Sequence, residues 1–214
     1  MARSSAMDLL LPALQLDKKI LPEDGSVDPA CFFATPITNS LVLEIGFGNG
    51  EHLFAMMQDT PSAHYLGAEP FTNGMAAFLK HIKPLPHHDN IRVLMDDAMM
   101  IVRSVKPETI DDIYILNPDP WPKKRHFKRR MARPENLVEF HRVLKPGGRL
   151  ICATDVDELA GWMATQIMCH GGFEWTAEQA DDWRKMPENW SRTRYEIKGE
   201  AAGRKQSYLI FKKA

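Results

Sequence analysis

Four acidic side chains stand at the ends of short apolar runs, where a carboxylate can meet a polar ligand. Glu44 precedes a glycine cluster, Glu69 and Asp97 end the next two runs, and Asp119 follows the fourth. A Glu after a second strand can accept hydrogen bonds from both ribose hydroxyls of an adenosine. An Asp after a third strand can accept one from the amino group of adenine. These acids, together with the glycines, predict a cofactor that contains adenosine.

The glycine spacing separates two kinds of adenosine cofactor. The stretch EIGFGNG, residues 44–50, has the form GxGxG, whereas a dinucleotide site favours GxGxxG with a pyrophosphate at the helix N-terminus. Glu44 would repel a pyrophosphate, but it suits the cationic sulfonium and amino group of S-adenosyl-L-methionine. The spacing therefore favours S-adenosyl-L-methionine over NAD. The residues expected at this cofactor are Glu44, Gly46, Gly48, Glu69 and Asp97.

A dense basic segment follows the fourth apolar run. The formal net charge of the 214 residues is −1, yet residues 121–145 hold nine Lys or Arg and two Glu. That segment therefore carries +7 and the rest of the chain −8. A basic segment in a near-neutral protein indicates an anionic partner at one face, although a solvated charged loop is the alternative for the run taken alone.

Asp119 lies two residues before this segment, in the stretch NPDPWPKKRHFKRR, residues 117–130. The prolines on both sides of it restrict the backbone. A stiff carboxylate beside a methyl donor can accept hydrogen bonds from N1–H and the 2-amino group of guanine. Trp121 can stack on a base or fill the core, and the following cations can hold phosphates. We therefore expect the carboxylate to select a base while the cations attract RNA.

Strands and helices alternate along the chain, which predicts βαβ units and a mostly parallel sheet with helices on both faces. Strands are predicted at residues 41–45, 64–69, 90–97, 111–117 and 149–155, and helices at 51–58, 73–82, 98–105, 134–144 and 157–170. Two further strands, FEWTAE and QSYLIFKK, lack a clear helix between them. They predict an antiparallel hairpin at one edge, and hence seven strands with an antiparallel final strand.

Composition and spacing also bound the class of protein. Residues 1–38 have little periodicity and are expected to form an arm or a partly disordered leader before one domain, residues 39–214. Three cysteines without a CxxC pair indicate reduced thiols in a cytoplasmic protein. The histidines lack metal-ligand spacing, and LLLPALQL is too short to span a bilayer. We expect no metal, no membrane association, and a monomer or homodimer.

Together, LEIGFGNG, NPDPWPKKRHFKRR, ATD and TRYE resemble the tRNA (guanine-N(7)-)-methyltransferase family over roughly residues 40–212. The resemblance implies a Rossmann-like class I methyltransferase that uses S-adenosyl-L-methionine to methylate N7 of guanine 46 in the variable loop of tRNA. Glu44, Glu69, Asp97 and Asp119 match the cofactor-binding acids of the family, and Asp119 also its active-site residue. The matching substrate contacts are Lys123, Asp155, Thr193, Arg194, Tyr195 and Glu196. The matching RNA-contact segment is Arg125, His126, Phe127, Lys128, Arg129 and Arg130.

Two parts of the predicted site have competing interpretations. Residues 193–206 are expected to be a flexible polar connection, which the resemblance makes a lid over the substrate guanine. Asp155 either caps the next helix or faces the site.

Asp119 is expected to orient guanine and not to act as an obligatory base, because N7 already carries an in-plane lone pair.

Two positions depart from the pattern expected of the family, Asn117 and Pro70. Asn117 resembles the start of the NPPY-type motif of amino-group methyltransferases, which leaves an amino-group nucleic-acid methyltransferase as an alternative. A non-catalytic RNA-binding protein that has kept the fold is a second alternative, and cofactor binding would separate it. An NAD-dependent oxidoreductase is a third, disfavoured by the GxGxG spacing and Glu44.

Overall fold

The computed structural model describes residues 5–179 and 181–214. Within this part of the chain, seven strands form one sheet in the order β3-β2-β1-β4-β5-β7-β6. The strands are β1 (Leu41–Ile45), β2 (His64–Ala68), β3 (Ile91–Leu94), β4 (Ile110–Leu116), β5 (Leu144–Thr154), β6 (Phe173–Trp175) and β7 (Ser207–Lys213). The first five pair in parallel, and β7 runs antiparallel to both β5 and β6. The predicted fold class is therefore confirmed.

The α-helices of the described residues cover both faces of the sheet. They are α1 (Ser5–Leu14), α2 (Glu51–Asp59), α3 (Thr72–Ile82), α4 (Met99–Ser104), α5 (Pro134–Val143), α6 (Asp157–His170) and α7 (Arg194–Ala201). The apolar side chains of α1, α2 and α3 pack on one face with Val42, whereas those of α4, α5 and α6 pack on the other with Leu41 and Leu43. Neighbouring residues of β1 serve opposite layers because side chains alternate along a strand.

The strand β5 begins earlier than predicted. Residues 145–148, KPGG, fall between the predicted helix at 134–144 and the predicted strand at 149–155, but they lie within β5. Leu144 already pairs with Ile110, and the next regular pair joins Arg149 to Asp112. Residues 145–148 therefore form an irregularity in the ladder, where Gly147 has a φ of 75°. A glycine-rich bulge interrupts the pairing without ending the strand.

The late part of the chain also differs from the predicted hairpin. β6 and β7 are antiparallel neighbours, as expected, but residues 176–206 between them include α7. β7 lies inside the sheet between β5 and β6, so β6 takes the edge. The intervening segment folds back over the sheet near the carboxyl end of β4, where it reaches the candidate site.

The N-terminal segment packs on the sheet and on α3. Met7, Leu10 and Leu14 of α1 are buried, and the backbone N–H of Leu16 donates to the carbonyl of Val93 at 2.8 Å. The described part of the predicted arm thus includes a helix that shares the core, while residues 1–4 lie outside the described residues. The division of the chain at residue 38 stays a prediction.

Among the described residues, no helix combines the length and hydropathy needed to cross a bilayer. The same residues contain no group of three or more His, Cys, Asp or Glu side chains placed to hold a metal ion.

Candidate cofactor and substrate site

A cleft of about 650 Å³ opens beyond the carboxyl ends of β1, β2 and β4. In a parallel sheet this edge is where ligands bind, because the strand ends and helix starts converge there. The cleft brings together seven residues predicted from the sequence. They are Gly46, Gly48, Glu69, Asp97, Asp119, Arg129 and Tyr195. Its size suits a ligand of nucleoside dimensions.

The glycine loop has the backbone that its composition predicts. Gly48 has a φ of 58° and Gly50 a φ of 74°, both in the left-handed region that side chains disfavour. A Cβ at Gly50 would also lie 2.2 Å from Cδ2 of Phe78, so α3 packs directly on this turn. The loop can therefore bring backbone close to a ligand in the cleft.

Glu69 joins the glycine loop to the start of α3. One carboxylate oxygen accepts from the backbone N–H of Gly48 at 2.8 Å, and the other accepts from that of Phe71 at 2.8 Å. The residue is 5% exposed and lines the cleft. Each oxygen has a second lone pair, so the carboxylate can still accept from a ribose hydroxyl.

Asp97 and its neighbour Asp96 form the next wall. Asp97 is exposed, and its Oδ1 accepts from the backbone N–H of Met99, the first residue of α4, at 2.9 Å. Its other oxygen faces no described donor. Asp96 lines the same cleft and pairs with Lys18; the hydrogen bond from that lysine is the main reason the pKa of Asp96 lies below its usual value. Asp96 is not among the residues predicted from the sequence, although it forms a DD pair with Asp97.

The side chain of Glu44 faces α2 and does not line the cleft. Its carboxylate is 1% exposed, and Oε2 lies 3.3 Å from Nδ1 of His52. The His52 ring packs against those of Tyr114 and Trp190, with centroid distances of 5.0 Å and 4.6 Å. Glu44 is therefore bonded to His52 of α2 and does not line the cleft with Glu69. A cofactor contact for Glu44 stays a prediction that this geometry does not favour.

Asp119 is exposed on the cleft wall, and no hydrogen bond or ion pair from a described residue reaches its carboxylate. The turn that presents it is constrained at both ends. Asn117 has a φ of 47° and Trp121 a φ of 42°. Asparagine tolerates the left-handed region, but a bulky Trp there is strained and needs support from its surroundings.

Arg130 supplies that support and so differs from the predicted RNA contact. Its Nε donates to the carbonyl of Pro120 at 3.0 Å and its Nη2 to that of Trp121 at 3.3 Å. The guanidinium also pairs with Glu158 at 2.7 Å and lies 3.8 Å from the ring centroid of Phe127. Arg130 is 2% exposed, so these contacts leave it no access to phosphates.

The cations at residues 123–129, just before Arg130, face solvent. Residues Lys124–Arg129 form a short 3₁₀ helix whose long side chains project outward, while Phe127 and His126 are half-buried. Arg129 lies over the Trp121 ring, 4.7 Å from its centroid, and both residues line the cleft. The exposed cations of this segment are Lys123, Lys124, Arg125, Lys128 and Arg129.

The predicted flexible connection at residues 193–206 contains the helix α7. Thr193 is its N-cap, and its Oγ1 accepts from the backbone N–H of Glu196 at 3.2 Å. The T-x-x-E spacing of TRYE is a capping-box signature that could have predicted this helix from the sequence. Tyr195 follows in the first turn; it is 62% exposed and lines the cleft beside Gly48.

Two predicted substrate contacts are occupied within the protein. Glu196 is buried, with its oxygens accepting from Nε1 of Trp190 at 3.0 Å and from the Tyr208 hydroxyl. Burial first, and the bond to Glu196 second, raise the pKa of Tyr208. Asp155 accepts from Nε of Arg204 at 2.7 Å, which fits neither a helix cap nor a cleft wall. Arg194 and Lys123 are exposed, as a substrate contact requires.

Asp155 lies tightly beneath α7. A Cβ at Gly199 would come within 2.2 Å of its Oδ2, so the helix approaches this carboxylate as closely as glycine permits. With its Arg204 partner, Asp155 therefore anchors the far end of α7, while Thr193 anchors the near end. The residues that the resemblance assigns to substrate thus include several that hold α7 in place.

Comparison with known proteins agrees with this geometry. The sequence model of a family described as "Putative methyltransferase" matches residues 38–209. The chain is 45% identical over 202 residues to the tRNA (guanine-N(7)-)-methyltransferase of Agrobacterium fabrum, covering 94% of this chain and 85% of that protein. It is 42% identical over 211 residues to that of Rhizobium johnstonii, covering 99% and 88%.

Solved structures share the fold at low sequence identity. The 16S rRNA methyltransferase KamB superposes with a TM-score of 0.57 at 16% identity, covering 82% of this chain and 87% of that one. The aminoglycoside resistance methyltransferase NpmB1 gives 0.54 at 14% identity, covering 94% and 95%. These likenesses establish the methyltransferase fold alone. The identities to curated relatives go further, and they confirm the resemblance carried by the motifs: this chain belongs to the tRNA (guanine-N(7)-)-methyltransferase family.

Proposed function

We propose that this protein transfers a methyl group from S-adenosyl-L-methionine to N7 of guanine 46 in the variable loop of tRNA, giving 7-methylguanosine. The observation that carries the proposal is the position of Asp119. Its uncommitted carboxylate shares one cleft with Glu69 and Asp97, and exposed cations begin four residues later. The names of the curated relatives support the choice of tRNA and of N7.

Three features of the cleft support binding of S-adenosyl-L-methionine. Glu69 has free lone pairs for the ribose hydroxyls, and the outer oxygen of Asp97 can accept from the adenine amino group. The left-handed turn at Gly48 lets backbone approach the amino-acid end. When bound, the cofactor supplies an electrophilic methyl group on a cationic sulfur.

Asp119 would hold the guanine. Its carboxylate can accept from N1–H and the 2-amino group, which turns the base so that N7 points into the cleft. The N7 lone pair needs no deprotonation, so catalysis can rest on alignment and on preorganised charge. The methylated ring is cationic, and the same carboxylate stabilises that charge as it develops.

The exposed cations would hold the RNA backbone. Lys123, Lys124, Arg125 and Lys128 project from the 3₁₀ segment, and Arg129 lies over Trp121 at the rim of the cleft. Such residues neutralise phosphates and release counterions, which gives affinity that depends on salt. With free cysteines at residues 31, 152 and 169, a tRNA-modifying activity suits the cytoplasm.

Methylation of an exocyclic amino group is less well supported. That reading depends on Asn117 meeting the target amino group, as in the NPPY-type motif. In this structure the Asn117 amide is engaged by Thr193 and Gln206 instead. Its side chain would have to break both bonds to reach a base.

The test is methyl transfer from labelled S-adenosyl-L-methionine to an unmodified tRNA transcript, followed by digestion and identification of the nucleoside by mass spectrometry. We expect 7-methylguanosine, and no label in a transcript with adenosine in place of guanine 46. Label in an amino-methylated nucleoside would replace N7 with an exocyclic target. Binding of cofactor and tRNA without any transfer would contradict an enzymatic role.

A further inference from the structure

We infer that Asn117 is a positioning residue, whose side-chain amide fixes the first turn of α7 at the mouth of the cleft. Its kinetic consequences rest on the proposed function. Its structural consequences do not, and they can be measured without any activity.

The backbone of Asn117 is held firmly at the end of β4. Its N–H donates to the carbonyl of Ala153 on the neighbouring strand at 2.7 Å, and its φ is 47°. Asparagine is one of the few residues that adopt this left-handed conformation at little cost. The side chain therefore leaves the sheet from a fixed point, two residues before Asp119.

The amide of Asn117 binds two distant parts of the chain. Nδ2 donates to Oγ1 of Thr193 at 3.1 Å, and Oδ1 accepts from Nε2 of Gln206 at 2.9 Å. Thr193 is the N-cap of α7, and Gln206 directly precedes β7. One side chain thus ties down both ends of the segment that carries α7.

Gln206 depends on this contact. Its Oε1 is buried without a hydrogen-bond partner among the described residues, so the bond to Asn117 is the one its side chain makes there. Losing it would leave both polar atoms of the Gln206 amide without a partner among the described residues, with Oε1 buried, which is unfavourable. The segment would be expected to move in order to solvate that amide.

The position of Tyr195 depends on the same two hydrogen bonds of Asn117. Tyr195 lies two residues after Thr193. Its ring lies beside the glycine loop, because a Cβ added at Gly48 would be 3.7 Å from Cε2 of Tyr195. Because Asn117 also begins the turn that presents Asp119, it connects the two walls of the cleft. Asn117 therefore sets the distance between Asp119 and Tyr195, and a base would enter the gap between these two residues.

The variant Asn117→Gly keeps the left-handed backbone and removes both side-chain bonds. Hydrogen–deuterium exchange should show the α7 amides exchanging about tenfold faster, since two hydrogen bonds that close this segment are lost. Gln206→Ala removes one bond without touching the Asn117 turn, and should shift exchange in the same direction by less. In methyl-transfer assays, Asn117→Gly should raise KM for tRNA about tenfold while affinity for S-adenosyl-L-methionine stays within about twofold.

Asn189→Gly is the matched control. Asn189 also has a left-handed backbone, with a φ of 57°, and it lies before α7 in the connection between β6 and β7. Unchanged α7 exchange in Asn117→Gly, or an equal increase in Asn189→Gly, would overturn the inference. A fall in cofactor affinity that matches the rise in KM would also overturn it, since the cleft as a whole would then have loosened. If the wild-type protein methylates no tRNA, the proposed function fails. The exchange data would still test whether Asn117 holds α7 in place.

Discussion

Nε of Arg130 donates a hydrogen bond of 3.0 Å to the carbonyl of Pro120, the residue next to Asp119. The basic segment therefore contains a cation that faces inward and holds the turn carrying the candidate active-site carboxylate. Its neighbour Arg129 faces outward over Trp121. Adjacent arginines thus have separable tasks, one in building the site and one at its surface.

Replacing Arg130 by Met should destabilise the fold. The change leaves the carbonyls of Pro120 and Trp121 without their donor, at about 1–3 kcal/mol for each group that stays buried. The pair with Glu158 adds little to this, because that glutamate is largely exposed. We expect the free energy of unfolding to fall by about 2–4 kcal/mol in urea titrations.

Lys124→Met is the control for Arg130→Met, since Lys124 is exposed in the same segment. It should change the unfolding free energy by no more than about 0.5 kcal/mol. Equal stabilities for the two variants would show that Arg130 does not support the turn.

Asp119→Asn should slow the methyl-transfer step while leaving tRNA bound. The amide keeps one acceptor but presents donors toward the donors of guanine, and it removes the charge that would stabilise a cationic product. Losing a preorganised electrostatic partner commonly costs about 10²–10³ in rate. Single-turnover assays at saturating tRNA measure this step. A variant that turns over like wild type but fails to bind tRNA would refute a selecting role.

The pH dependence of the same assay tests how Asp119 works. Attack by the N7 lone pair needs no proton acceptor, so the single-turnover rate should change little with pH around neutrality. A steep rise that follows one titrating group, and that disappears in Asp119→Asn, would make this carboxylate a general base.

Glu69→Ala should weaken cofactor binding for two reasons. It removes the acceptor for the ribose hydroxyls, and it frees the N–H groups of Gly48 and Phe71 that shape the loop. Hydrogen bonds to a charged group contribute about 1.5–3 kcal/mol each. Calorimetry with S-adenosyl-L-methionine should therefore show at least a tenfold loss of affinity. Glu135→Ala, at an exposed glutamate, serves as the control, and equal affinities in both would exclude the ribose contact.

Neutralising Lys124, Lys128 and Arg129 to Gln should weaken tRNA binding and flatten its dependence on salt. Each lost phosphate contact should make the negative slope of log K against log salt shallower by about 0.7–0.9, the range given by single strands and duplex DNA. Arg130 is left unchanged because it is buried. The matched control neutralises Lys19, Lys80 and Lys83, which are also exposed. If both triple variants change the slope equally, only overall charge matters and the segment is no specific contact.

The sequence by itself determined the layout of the fold and the place of the site. Apolar runs of strand length alternate with helical patterns, and these periodicities depend only on neighbouring residues. Acids at strand ends, such as Glu69, Asp97 and Asp119, had to converge because parallel strands place their carboxyl ends at one edge. The glycine loop was equally predictable, since most other residues disfavour its left-handed turns.

Only the tertiary structure decided which way individual side chains face. Arg129 and Arg130 are the same residue type in the same segment, yet Glu158 and the Phe127 ring draw one of them inward. Glu44 turned to His52, and Glu196 to Trp190 and Tyr208, because partners distant in sequence could satisfy their buried carboxylates. A long polar side chain takes the partner that best offsets its desolvation, and that partner is known only once the chain has folded.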